Sequence, residues 1–141
     1  MPRAKSILVI EDHQHSREAL VKLLRLARFE VMAYDSCSAA EAHLQTCDTD
    51  IALLDVRMPG RCGDDFGREL RKRCPKTMIV FLTAELAMEP LKAAVPDCFV
   101  LRKPVDIAVL LELIECFCTE KGYTGRLSKE AGDQATPGFL G

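Results

Sequence analysis

Four short apolar runs punctuate the chain, and each is followed closely by polar or charged residues. Ile7–Ile10 leads into Glu11 and Asp12, Ile51–Leu54 into Asp55, Met78–Leu82 into Thr83, and Phe99–Leu101 toward Lys103 and Pro104. Ile51 to Leu54 is apolar at every position, as expected of a strand covered by helices on both faces. Between the runs the period changes. Ser16, Leu20, Leu23, Leu24 and Ala27 recur at helical spacing, with Arg17, Glu18, Lys22 and Arg25 elsewhere, and predict a first helix. Phe29 to Tyr34 reads as a short, partly alternating strand. Ser36 or Ser38 can cap a helix from about Ala39 to Gln45.

Pro59, Gly60 and Gly63 mark a loop, after which Phe66, Leu70 and Cys74 line a helix that must finish before Pro75. A helix from about Leu86 to Ala94 is short and weakly patterned. Pro90 falls inside it, so an irregular element is expected there. Leu110, Leu113, Ile114 and Phe117 form one stripe of a final helix. Strands alternating with helices in this way predict βαβ units around a parallel sheet.

The periodic pattern stops past Thr119. Residues 1–119 therefore read as one domain, and 120–141, with Ser128, Thr136, Pro137 and several glycines, as a flexible tail or linker. At 48% apolar and 28% charged residues with net charge −2, nothing in the composition points to nucleic acid or a membrane surface. The basic stretch of Arg68, Arg71, Lys72, Arg73 and Lys76 is interrupted by Glu69 and carries no interleaved aromatics, so it reads as a solvated helix face. Seven cysteines, an odd number without a C-x-x-C, suggest reduced thiols and a cytoplasmic location. No signal peptide is visible, and Asp106, Glu112 and Glu115 break the longest apolar region, which rules it out as a membrane span.

If the runs are parallel strands, their polar endings gather on one edge, because ligands of open α/β sheets sit outside the carboxyl ends of the strands. That edge would hold three carboxylates, a hydroxyl and an ammonium. Glu11, Asp12 and Asp55 make a hard, all-oxygen set suited to Mg²⁺. A carboxylate beside a cation can act as a nucleophile toward phosphorus, since phosphoryl transfer is mostly positioning and charge neutralisation. His13 and His15 are discounted as transition-metal ligands, because side chains two apart at a helix start diverge. His43 reads as a surface or half-buried helix residue.

The order of these motifs resembles the receiver domain of two-component response regulators: the acidic pair, Asp55, Asp55-x-x-Met58-Pro59 with Gly63, Thr83-Ala84, and Lys103-Pro104. The resemblance covers about residues 5 to 119. It implies a flavodoxin-like (βα)5 fold, a doubly wound five-stranded parallel sheet in strand order 2-1-3-4-5. It implies Asp55 as phosphoacceptor, Mg²⁺ (or Mn²⁺) held by Glu11, Asp12, Asp55 and the backbone carbonyl of Arg57, and Thr83, Ala84 and Lys103 as phosphate-binding groups. A cis Lys103–Pro104 peptide is implied as well. The implied partners are a histidine kinase or phosphotransfer protein and a downstream effector or output domain. The chain would be a monomer or weak homodimer, and either a stand-alone receiver or a piece of a longer regulator.

Two features depart from the family pattern. Receivers usually place Tyr or Phe three residues before the lysine, as an aromatic switch behind the threonine; here Val100 stands there and Phe99 one residue earlier. Phe99 can serve only if a bulge restores the register. Arg57 and Glu85, two residues after Asp55 and Thr83, flank the path of a hydrolytic water, and a salt bridge between them would lengthen the phosphorylated lifetime. A haloacid-dehalogenase-like phosphohydrolase would need a second carboxylate where Arg57 stands, so turnover is not expected. A receiver-like module that binds partners without phosphorylation is the other alternative.

Overall fold

A computed structural model describes residues 5–56, 63–84 and 89–119. The chain alternates β1 (Ser6–Ile10), α1 (Gln14–Leu26), β2 (Glu30–Tyr34), α2 (His43–Thr46), β3 (Ile51–Asp55), α3 (Gly63–Arg73), β4 (Met78–Thr83), α4 (Glu89–Ala94), β5 (Phe99–Arg102) and α5 (Ile107–Thr119). All pairings are parallel, in the order β2-β1-β3-β4-β5. The chain steps outward from β1 to β2 and then returns to the other side of β1. The β1/β3 junction is therefore the switch point, where adjacent connections leave on opposite sides and open a crevice.

Strand alternation divides the core into two layers. Leu8, Ile10, Ala52, Leu54, Ile79 and Phe81 face Leu44, Phe66, Leu70 and Val95. Ile7, Val9, Ile51, Leu53, Val80 and Leu82 face Leu20 and Leu24 of α1 and Leu110, Leu113 and Ile114 of α5. Both faces are covered, which is why the central strands are apolar without alternation. On α3, Gly63, Phe66, Gly67 and Leu70 are buried at helical spacing. A Cβ on Gly67 would lie 2.5 Å from the Phe81 ring, so the glycine lets α3 settle directly onto β4. Asp64 and Asp65 begin α3 and Arg71, Lys72 and Arg73 end it, in accord with the helix dipole.

Several sequence expectations need correction. Only Leu20 and Leu24 of the α1 stripe are buried. Leu23 is 40% exposed, because α1 meets the sheet along a narrower stripe than the predicted face. The predicted helix over 39–45 reduces to turns and the four-residue α2, although Ser36 Oγ does accept the Ala39 N–H. Of the element expected over about 86–94, residues 86–88 lie outside the described residues; from Glu89 to Ala94, Pro90 included, the backbone is helical.

His43 is buried, with Nε2 2.9 Å from the Tyr34 hydroxyl and Nδ1 2.8 Å from Asp48 Oδ1. Arg71 is more than a solvated cation: it donates to the carbonyls of Pro96, Pro75 and Thr77 and stitches α3 to two loops. The expectation of reduced thiols fails at one pair, since Cys47 and Cys74 form a disulfide. No helix among the described residues is long and apolar enough to cross a membrane.

Candidate functional site at the carboxyl edge of the sheet

The endings of the strands are tied laterally before any side chain contributes. Glu11 N–H donates to Tyr34 O at 3.0 Å, Val56 N–H to Leu82 O at 3.1 Å and Lys103 N–H to Thr83 O at 2.8 Å. The parallel ladder thus continues one residue past the strands and fixes where each functional side chain begins. Lys103–Pro104 is cis, as the resemblance implied.

Into this frame the Lys103 ammonium reaches across the sheet edge. Its Nζ lies 2.9 Å from Glu11 Oε1 and 3.0 Å from Asp55 Oδ2, joining residues 92 and 48 positions away in sequence. Glu11, Asp55 and Thr83 are buried, whereas Asp12 and Ala84 are exposed at the rim. One oxygen from each of Glu11, Asp12 and Asp55 lies within 4.8 Å of the others. Three carboxylates at that spacing, one of them open to solvent, suit a small divalent cation that keeps part of its water shell.

The electrostatics are unbalanced. Burial pushes the Asp55 carboxyl above the ordinary carboxylate range and the hydrogen-bonded proximity of Glu11 pushes the same way, against the pull of Lys103. Burial acts to lower the Lys103 ammonium, but its bonds to Glu11 and Asp55 outweigh that and hold it above its usual value. Both groups are shifted upward, which favours the charged form of Lys103 and disfavours that of Asp55: the lysine gains from two carboxylates, while burial and Glu11 outweigh what Asp55 gains from the lysine. A divalent cation would remove the deficit.

Three contacts support the site, the first two without any signal in the sequence. Arg17 Nη1 donates to Glu11 O at 2.9 Å, pinning the acidic loop from the first turns of α1. Glu11 Oε2 accepts the His13 N–H at 3.1 Å, so one carboxylate holds both the start of α1 and Lys103. A Cβ on Gly63 would overlap the Asp55 carbonyl oxygen, so the motif glycine keeps α3 pressed against the end of β3. Gly63 stood out as a turn residue; only the packing shows what it accommodates.

The bulge on which a switch role for Phe99 depended is absent from the β4–β5 pairing. Phe99 pairs opposite Val80 and Val100 opposite Phe81, in unbroken register up to Thr83 opposite Arg102. Phe99 packs in the α1/α5 layer, while Val100 packs in the opposite layer with Phe81. Thr83, two residues beyond Phe81, shares that second layer. Without a bulge the period of two sends Phe99 to the face away from Thr83, so the condition for Phe99 to serve as the switch aromatic is not met. Arg57 and Glu85 lie outside the described residues. His13 and His15 are exposed, as expected, with ring centroids 6.0 Å apart.

Comparison with known proteins agrees with this geometry. The family profile of the response regulator receiver domain matches residues 7–115. The response regulator receiver protein CpdR of Brucella abortus is 34% identical over 113 residues, covering 79% of this chain and 94% of that protein. The response regulator protein FleR of Pseudomonas aeruginosa is 32% identical over 115 residues, 79% of this chain but 24% of FleR. Among solved structures, the chemotaxis protein CheY4 of Vibrio cholerae superposes with a TM-score of 0.73 at 26% identity, covering 80% of this chain and 98% of that one. A CheY-like receiver domain from Methanospirillum hungatei shares the fold at a TM-score of 0.73 and 22% identity, covering 91% and 99%. With a five-stranded sheet in this order and a profile match across most of its length, the chain belongs to the response regulator receiver domain family.

Proposed function

We propose that this receiver domain takes a phosphoryl group onto Asp55 from a phosphohistidine on a kinase or phosphotransfer protein, in a Mg²⁺-dependent step. The observation that carries the reading is Lys103 Nζ held between Glu11 and Asp55 beside Asp12. The nucleophile is an Asp55 carboxylate oxygen: its bond to phosphorus forms as the P–N bond of the donor breaks. Glu11, Asp12, Asp55 and the Arg57 carbonyl would hold the cation, which supplies neutralising charge for the phosphoryl oxygens. Lys103 supplies the charge on the other side. The Thr83 hydroxyl and the Ala84 N–H donate to the phosphate once it is attached.

Glu11 and Arg17 act as positioning residues, since they orient the loop and the lysine without needing to reach phosphorus. Phosphorylation then changes which partner docks, an effector protein or an output domain, in the cytoplasm. Residues 1–119 form the signalling unit and 120–141 a tail or linker. The domain acts as a monomer or weak homodimer, and its only turnover is self-catalysed transfer and hydrolysis. An Arg57–Glu85 pair would slow that hydrolysis, so Arg57→Ala should shorten the phosphorylated lifetime.

The test is intact mass after incubation with acetyl phosphate and Mg²⁺. One added phosphoryl group on the native chain, absent without Mg²⁺ and absent in Asp55→Asn, is expected. Uptake that persists in Asp55→Asn would assign the acceptor elsewhere. No uptake at all would leave a module that docks without phosphorylation. Sustained phosphate release from phosphomonoesters would favour a phosphohydrolase, but the missing second carboxylate at Arg57 argues against that.

A further inference from the structure

At the opposite end of the sheet from Asp55, Cys47 ends α2 and Cys74 follows the last residue of α3, and their sulfurs are joined. We propose that this pair is a reversible thiol–disulfide exchange site for an anionic low-molecular-weight disulfide of the glutathione class, with Cys47 as the entry sulfur. Four observations combine. The Cα atoms lie 5.4 Å apart, within the range in which a bridge closes without moving the backbone. Cys47 occupies the left-handed region, with φ 49°, where a helix normally ends on Gly or Asn; a cysteine there accepts a local backbone cost.

The two sulfurs differ in access, since Cys47 is exposed and Cys74 buried. Both line a cleft of about 750 Å³ that also presents Lys5, Arg73 and Lys76, with Asp50 as its acidic member. Arg73 shares its charge with Glu69 at 3.2 Å, and Asp50 accepts from the Ser6 N–H and hydroxyl. With Glu69 offsetting Arg73 from outside the lining, Lys5 and Lys76 against Asp50 still leave the cleft net positive, which favours an anionic ligand.

Closure proceeds in two exchanges. The Cys47 thiolate attacks one sulfur of the glutathione disulfide, forming a mixed disulfide and releasing one glutathione thiolate. The Cys74 thiolate then attacks Cys47 Sγ, forming the bridge and releasing the second. The two protons lost by the protein thiols end on the two glutathione molecules, so the protein is oxidised by two electrons and the small disulfide reduced by two. Reduction runs the same steps backward, with glutathione attacking Cys47 Sγ and expelling the Cys74 thiolate. None of these groups belongs to the Asp55 site, and the proposal stands whether or not Asp55 is phosphorylated.

The full chain is equilibrated in glutathione buffers of rising disulfide fraction, acid-quenched, unfolded, alkylated and weighed. A single transition to a form taking two fewer alkyl groups is expected, with peptide mapping linking Cys47 to Cys74. A transition joining other cysteines, or none at any disulfide excess, would overturn the site. Cys74→Ser should trap glutathione on Cys47, and Cys47→Ser should leave Cys74 unmodified; the reverse pattern would overturn Cys47 as entry sulfur. Lys76→Gln should slow closure by glutathione disulfide about threefold without slowing closure by the cationic disulfide cystamine. Equal slowing with both reagents would overturn selection for an anionic ligand.

Discussion

The two ends of the sheet handle polar groups in opposite ways. At the carboxyl end, buried Glu11 and Asp55 share one lysine, and the Asp55 carboxyl is driven upward by burial and by its neighbour. At the amino end, the polar groups are matched. Ser6 N–H and Oγ donate to Asp50 Oδ2 while Ser6 Oγ accepts the Asp50 N–H, and the Thr77 hydroxyl donates to Thr49 O at 2.9 Å. Arg71 donates to four carbonyls nearby, and the Cys47–Cys74 bridge closes the same end. Among the described residues, the carboxyl end holds two buried carboxylates on one lysine, whereas the backbone and side-chain hydrogen bonds at the amino end tie the strand starts together.

The largest test of this contrast is Gly63→Ala. Its Cβ would overlap the Asp55 carbonyl, and backbone cannot rotate aside as a side chain can. We expect a loss of at least the 1–3 kcal/mol typical of overpacking, together with loss of phosphoryl uptake from acetyl phosphate. Denaturant titration and intact mass check the two effects. Uptake at the native level would detach α3 from the site.

Next comes Ser6→Ala at the amino end. Removing a buried hydroxyl that joins Asp48 O, Asp50 Oδ2 and Asp50 N–H should cost about 1–3 kcal/mol in urea unfolding. Phosphoryl uptake should be unchanged. A fall in uptake without a fall in stability would show that the two ends are not separable.

Asp55→Asn should act in the opposite direction. A carboxyl whose folded pKa is raised destabilises the fold once pH exceeds that raised value. The penalty shrinks as pH falls through it and is gone below the unfolded value, 3.8. In chelator at neutral pH the variant should therefore melt above the native protein, and the gap should narrow on acidification. Added Mg²⁺ should raise the native melting temperature more than that of Asp55→Asn. A native chain that melts higher than Asp55→Asn in chelator would contradict the charge imbalance.

The smallest effect belongs to Asp48. Its hydrogen bond to His43 lowers its pKa below 3.8 against a smaller desolvation effect, so its contribution is present above 3.8 and lost as pH falls through the lower folded value. Because Asp48 is half exposed, Asp48→Asn should cost under about 1 kcal/mol at neutral pH, with the difference closing only in acid. A difference that grows below pH 4 would reverse the assignment.

Strand identity and the residues at the strand ends were legible from residue order alone. Apolar runs without alternation announce strands buried on both sides, and a parallel sheet brings every ending to one edge, so Glu11, Asp12, Asp55, Thr83 and Lys103 could be grouped before any coordinates. The flanks were harder. Leu23 falls on the predicted helical stripe with Leu20, yet it remains exposed, because period tells which residues share a face and not how much of that face the sheet covers. His43 read as a surface or half-buried residue, since its partners, Tyr34 and Asp48, come from a strand and a loop.

Tertiary structure alone decided the rest. The Phe99 assignment depended on a single residue of register, which backbone pairing sets and composition does not. Cysteine parity and the absence of C-x-x-C suggested no disulfide framework and reduced thiols, but Cys47 and Cys74 meet because α2 and α3 end side by side, 27 residues apart in sequence. Local pattern carries which groups are present and which way each element is apolar. Distances between groups far apart in the chain, and hence the charge imbalance at Asp55 and the bridge at the other end, arise only when the elements pack.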